Sequence, residues 1–373
     1  MSGVDLEERA TDFALKLGLL RNVLRDLGVD GCLLNLAHNF AWLTAGARNH
    51  IFLATEGSLY VNGMRAIVIT NTIEGHRLCN EELSGLSVEL FEEPWFNAQV
   101  PAAAVELAVG SSETFLQDTD AALERPLARL RQSLTPLDVK RYRALGADCS
   151  AVVSTVARSV TRGTTEWALA AALSQGAVER GIDVVVLLVA ADERLDRIRH
   201  PLPTTKPVAE KVMLVLCGRR GGLICSLTRV VCISPTLPPD LRRRHDAVTF
   251  VDATALAKTR PGTVAGEVFA AIRDAYAARG FENEWRLHHQ GGGTGYKSRE
   301  WKATENSAEV VAPLHAYAWN PSISGTKSED TVLVCEDGSV EVLTQAPASW
   351  PLVHHTVDGV TYARPDILHL PGS

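Results

Sequence analysis

Two apolar runs, KVMLVLCG from Lys211 and LICSLTRVVCI from Leu223, stand back to back, joined by Arg219-Arg220-Gly221-Gly222. Each is short and rich in β-branched and apolar residues. Together they read as two strands around a Gly-rich turn. A further strand signal, IDVVVLLVAA, precedes them, and AYAWNPSI, DTVLVCEDG and SVEVLT follow. Between these lie helices with recognisable ends. Thr135-Pro136 opens LDVKRYRALGADCSAVVSTVARSV, which stops at Arg162-Gly163. Thr164 or Thr165 caps EWALAAALSQGAVERG, with Glu166 in its first turn. Gly280 closes VAGEVFAAIRDAYAARGF. Helices over mostly antiparallel strands argue for an α+β fold.

The part before Thr135 has a different rhythm. Residues 12–28 carry apolar side chains at helical spacing and end on Gly28, and VDGCLLNL follows as a strand. SLYVNGMRAIVIT reads as a hairpin with Asn62-Gly63 as its two-residue turn. The alternation continues to residue 109, as in a small α/β domain. A chain of 373 residues exceeds the usual size of a single core. The expected organisation is therefore an N-terminal domain over 1–133 and a C-terminal domain over 134–373.

Composition narrows the function classes. Apolar residues make up 46% and charged residues 22%, an ordinary soluble balance. Net charge is −7 and no long basic run exists, which argues against a nucleic-acid partner. Arg242-Arg243-Arg244, the densest cationic cluster, follows Pro238-Pro239 and reads as a solvated loop, with an anion site as the alternative. The seven cysteines form no CxxC pair, so a zinc knuckle is not indicated and reduced thiols in the cytoplasm are expected. The polar, acidic start is unlike a signal peptide, and no apolar run reaches membrane-spanning length.

Five segments, in order, resemble the M24 family of methionine aminopeptidase, Xaa-Pro aminopeptidase, prolidase and creatinase. LDVKRYRALG with TRGTTEWALAAAL is similar to that family's opening helix pair, and RHPLPT to the loop holding its substrate-side histidine. VMLVLCGRRGGLICSLTRVV resembles its hairpin ending in D-x-T-R, and HHQGGGTGYKSRE its H-x-x-x-H-x-x-G segment. WNPSISGTKSEDTVLVCEDG resembles its EPG…EDxVLVTEDG ending. The resemblance implies a C-terminal pita-bread domain, preceded by a smaller N-terminal α/β creatinase-like domain.

It also implies where metal ligands should stand, and this chain departs there. Metal-dependent members hold two ions with two Asp, one His and two Glu. Ser226 occupies one Asp place, and Cys217 or Val215 the other. Gly292 takes the His place, Asn320 before Pro321 takes one Glu place, and only Glu329 remains. Divalent ions need several charged or imidazole ligands, so no bound metal and no other cofactor is expected, with a single weak ion as the alternative. Creatinase is the precedent within the family for metal-free catalysis by a histidine. His200 keeps that histidine, while Thr228 and Asn320 replace its guanidinium-binding carboxylates.

Residue chemistry adds candidates. His200 in RIRHPLPT is the acid/base candidate, because a neutral imidazole both takes and gives a proton near pH 7. The bland reading is a loop histidine. His288, His289 and Gln290 precede three glycines that let a ligand approach the backbone, the alternative being a turn. Arg299 suits a substrate carboxylate or a structural Arg–Glu pair. Cys217 is a nucleophile candidate whose apolar strand favours an inert thiol. Glu329-Asp330 is the only acidic pair of the presumed pocket; Glu329 is a catalytic or orienting carboxylate, and Lys327 shares its strand face, so an ion pair between them is the plain alternative. Ser226, Asn320 and Gln290 are neutral donors for an oxyanion. Family dimers let the N-terminal domain reach the partner's pocket. Arg48 and His50 of HNFAWLTAGARNH are the residues for that reach, and Trp42 is assigned to the core.

The expectation is a metal-independent, creatinase-like hydrolase or lyase, homodimeric and cytoplasmic, with no nucleic-acid or membrane partner. It would act at a C–N bond of a small, polar, carboxylate-bearing substrate. Two alternatives stand beside it: a non-catalytic pita-bread protein binding a peptide or protein partner, and an Xaa-Pro aminopeptidase-type peptidase.

Overall fold

The computed structural model describes residues 5–51, 54–97 and 99–372. The chain divides into two compact units. The first runs up to Asp138 and includes Gly221–Leu223; the second comprises Val139–Arg220 and Ile224 onward.

In the first unit, the strand Gly31–Leu34 pairs antiparallel with Gly57–Asn62 and parallel with Phe115–Gln117. Gly57–Asn62 pairs antiparallel with Ala66–Asn71, which runs parallel to Glu89–Glu93. The opening helix reaches back to Leu6 because Asp5 caps it, and it ends at Leu27 with Gly28 left-handed at φ 68°. The hairpin turn differs from its sequence reading. Asn62 and Arg65 face each other and Gly63-Met64 form the loop, since the Asn62 side-chain oxygen accepts from the backbone N–H groups of Met64 and Arg65. An Asx turn thus displaces the two-residue Asn-Gly turn by one residue. Trp42 is buried, on the short helix Ala37–Leu43.

In the second unit the long hairpin is as expected, with strands Lys211–Arg220 and Leu223–Cys232. Asp183–Ala191 flanks it on one side and Leu368–His369 on the other. A second antiparallel sheet orders Gly291–Thr294, Ala316–Trp319, Asp330–Val334 and Val340–Val342. An isolated bridge, Thr228 to Glu329, links the first sheet to the residue just before Asp330–Val334 of the second. Helices Pro239–Lys258 and Ala265–Ala278 pack Val248, Val251, Phe269 and Ile272 against Tyr317, Trp319 and Val332 of the second sheet. Mixed helices and antiparallel strands make this an α+β fold, as the sequence pattern requires.

Three local readings need correction. The helix from Pro136 ends at Arg158 rather than at Arg162. Arg242, Arg243 and Arg244 lie not in a loop but in the first turns of Pro239–Lys258, where Pro239 fits the first helical position. All three are occupied there: Arg242 by Asp366, and Arg243 and Arg244 by Asp240. Finally, Asp330 is not a pocket acid beside Glu329. Successive strand residues face opposite sides, and Asp330 points into a buried network with Arg229, Arg364 and Asp252. Two cations and two anions cancel there and both carboxylates accept hydrogen bonds, which is the condition for burying charge. The network fixes the start of the strand that follows Glu329 directly.

Candidate active site

His200 sits in an extended loop held from both ends. The Arg199 guanidinium contacts Ser322, Ser324 and Glu284. The Val189 amide donates to the Pro201 carbonyl at 3.2 Å, and Arg194 donates to the Leu202 carbonyl at 2.9 Å. Behind the loop, Glu166 is fully buried. Its carboxylate accepts from the Thr204 amide and hydroxyl and from the Ala191 amide, and it pairs with Arg194. Glu166 reads in sequence as a first-turn acid favoured by the helix dipole. In the fold it anchors the histidine loop through Thr204, the last residue of RHPLPT.

The loop brings His200 onto the His288-His289 segment. His200 Nε2 lies 2.9 Å from His288 Nε2, and their rings meet edge to face. His289 stacks on His288 with ring centroids 4.4 Å apart. His288 Nδ1 is 2.6 Å from the His289 carbonyl oxygen, which can only accept, so Nδ1 carries the proton and Nε2 is the lone pair. His200 therefore donates from Nε2 to His288. Desolvation, only partial at the exposed His200, and then the Lys327 ammonium lower His200 and take His288 down to about 4. Burial and then His288 bring His289 down to about 3. The three imidazoles are neutral at physiological pH.

Beside them lies a charged group of three. Lys327 Nζ is 2.6 Å from Glu329 Oε2, and Arg299 Nη2 is 3.2 Å from Oε1. The Thr228 hydroxyl adds a third bond to Glu329, at 2.8 Å. Burial alone would raise the Glu329 carboxyl, but Lys327 and Arg299 outweigh it and hold it at about 2. The ion pairs offered as plain alternatives for Arg299 and Lys327 are therefore formed. Arg299 keeps its buried Nε without a partner.

The remaining candidates divide. Asn320 is buried, and its side-chain oxygen lacks a partner. Ser226 is buried beside Cys217, with its backbone tied to the Thr331 hydroxyl. Cys217 does not suit a nucleophile: burial, then Glu329, pushes its thiol up to about 11. Gln290 is no oxyanion donor either. Its amide donates to the Trp285 and His288 carbonyls, and its oxygen accepts from the Tyr276 hydroxyl. Arg48 and His50 lie in the first unit, where Arg48 forms an ion pair with Glu82 at 2.8 Å. Two contributors escaped the sequence reading. Thr228 was weighed only as a lost carboxylate, and Lys302 is close enough to lower His200 and His289.

Gly291, Gly292 and Gly293 form a buried strand with unusual backbone. Gly291 and Gly292 have φ of 105° and 153°. A Cβ at Gly292 would fall 2.2 Å from the Trp301 carbonyl oxygen, so only glycine fits.

Comparison with known proteins sets this geometry in context. Residues 140–336 match the metallopeptidase family M24. Agropine synthesis cyclase of Rhizobium rhizogenes is 31% identical over 215 residues, 50% of this chain and 52% of that protein, so the chain spans about half the length of that relative. The probable dipeptidase PepE of Mycobacterium bovis is 24% identical over 357 residues, covering 88% of this chain and 94% of that protein. The crystal structure of dipeptidase PepE from Mycobacterium ulcerans superposes with a TM-score of 0.75 at 19% identity, over 97% of this chain and 99% of that one. This likeness gives the fold the pita-bread architecture. With more than half its length matched, the chain belongs to the metallopeptidase family M24.

Proposed function

We propose that this chain is an enzyme of the hydrolase type that works at a C–N bond of a small carboxylate-bearing substrate, with His200 as general acid/base and without a dinuclear metal centre. The observation that carries this reading is the His200–His288 contact at 2.9 Å beside the Lys327–Glu329–Arg299 group. A neutral imidazole pair sharing one proton can take a proton from water and return it to a leaving nitrogen. The unpartnered Nε of Arg299 and the Lys327 ammonium give a substrate carboxylate its counter-charges. The orphaned Asn320 oxygen is an acceptor suited to a substrate N–H. A buried polar atom left unpaired costs about 1–3 kcal/mol, which such a ligand would recover.

The donors present do not fit the pair of ions that the family name implies. Both Glu329 oxygens already serve Lys327, Arg299 and Thr228, and the ammonium at 2.6 Å repels a dication. Ser226 and Asn320 offer neutral oxygens only, and Gly292 offers none. The same acid/base pair would also serve attack by a nucleophile within the substrate, giving ring closure instead of hydrolysis. The name of the Rhizobium relative favours this second reading.

The test is turnover by the chelator-treated protein, followed by mass spectrometry over a panel of dipeptides, Xaa-Pro peptides and small amide acids. Cleavage or cyclisation that survives chelation and requires a free carboxylate is expected. Turnover that appears only after manganese or cobalt is restored would establish a dinuclear peptidase instead. Tight peptide binding with no product would establish the non-catalytic reading.

A further inference from the structure

His200, His288 and His289 come from two segments, yet each offers a ring nitrogen within 4.8 Å of the others. None of the three stands at a position where the family's dinuclear ligands are expected. The His288 ring is already oriented by its Nδ1–H on the His289 carbonyl, the outer-shell contact that presents Nε2 as a metal ligand. The Nδ1 of His289 is buried and has no partner. His200 completes the set from an exposed loop position.

We propose that these three histidines form a site for one zinc-type divalent ion, and that the ion switches the enzyme off by taking the lone pair His200 needs. Three imidazoles suit zinc, cobalt, nickel or copper, whereas manganese and magnesium prefer oxygen ligands. Zinc–nitrogen bonds of about 2.0–2.1 Å in a tetrahedron set nitrogens about 3.3 Å apart. The 2.9 Å between His200 and His288 must therefore open by a few tenths of an ångström, while the widest separation in the set, within 4.8 Å, must close by up to about 1.5 Å. On binding, the proton His200 holds on Nε2 moves to its Nδ1, and none is released. The fourth position stays open to water or a carboxylate. Lys327 and Lys302 nearby disfavour a dication while Glu329 favours it, which makes the site reversible rather than permanently filled. The switch rests on His200 being the acid/base; the ion site does not.

Calorimetric titration of the chelator-treated, full-length protein with Zn²⁺ is expected to give one ion per chain, with Mn²⁺ binding far more weakly. Co²⁺ is expected to give the strong visible absorption of a four-coordinate site. His288→Ala and His289→Ala should each weaken Zn²⁺ binding at least about tenfold. Melting curves, with His289→Gln as a milder variant, guard against misfolding. Zinc should abolish turnover over the range in which it binds. Absence of stoichiometric Zn²⁺ binding, or binding untouched by both alanine variants and by His289→Gln, overturns the site. If His200→Gln still abolishes turnover in that case, the acid/base reading stands without it. One zinc bound with turnover undiminished overturns the switch, and places the error in the role given to His200.

Discussion

Lys327 Nζ lies 2.6 Å from Glu329 Oε2, and both side chains are almost wholly withdrawn from water. The two residues are two apart, Lys327 ending one short strand and Glu329 standing just before the next, so the pair is local in sequence and decisive in the pocket. The Glu329 carboxylate is neutralised from within the chain before any ligand arrives.

Removing the ammonium leaves a buried charge with reduced compensation. Lys327→Met should destabilise the protein by about 3 kcal/mol, because breaking a buried pair costs about 3–5 kcal/mol and Arg299 retains part of the partnership. Urea unfolding of the two proteins measures this. A change below about 0.5 kcal/mol, the range of ordinary surface substitutions, would contradict the structural weight given to the pair.

His200→Gln should lower turnover by about 10²–10⁴, the usual worth of a general acid/base. The side chain is exposed in its loop, so stability should change by less than about 1 kcal/mol. Paired kinetic and thermal measurements check both parts. Retention of most activity would confine His200 to positioning and pass the proton to His288.

Cys217→Ala should leave turnover within a few-fold of the parent protein. The thiol is buried and pushed up to about 11, so almost no thiolate exists near neutrality. Mass-spectrometric labelling with iodoacetamide should find Cys217 unmodified in the folded state. Rapid alkylation there would reverse the argument.

The histidine at 245 makes stability pH-dependent. Burial lowers it to about 4, with Asp366 and Asp246 opposing that shift and Arg242 adding to it. Its neutral ring is held by the Thr326 hydroxyl and the Pro365 carbonyl. Above about pH 6.5 folded and unfolded chains both hold it neutral, and it costs nothing. As pH falls from there towards 4, the unfolded chain takes up a proton that the folded one refuses. Stability therefore falls, by at most about 1.4 kcal/mol per pH unit from this group. Denaturation at pH 7 and pH 5 should show a smaller difference in His245→Gln, by up to about 2 kcal/mol. An equal drop in both proteins would remove His245 from the account.

Much of the scaffold was legible because its signals are local. The Gly-rich hairpin, Thr165 as a cap, Gly28 and Gly280 as stops and Trp42 in the core follow from backbone preference and apolar pattern. The site was legible as a set of residues but not as a set of contacts. His200 and His288 are 88 positions apart, and nothing in either segment says that their rings touch. Glu166 was visible as a helix-start residue, yet its burial under the histidine loop depends on Thr204 and Arg194 arriving from elsewhere. Gln290 looked like a free donor because the carbonyls that occupy it belong to backbone that periodicity does not place.

The glycine at 292 carries a consequence for any side chain placed there. Any side chain there would meet the Trp301 carbonyl, and φ of 153° is a conformation that residues other than glycine rarely adopt. Placing an imidazole at this position would first require the 301 segment to retreat and the strand to change its backbone. A histidine put there by substitution would therefore strain the strand before it could reach any ligand.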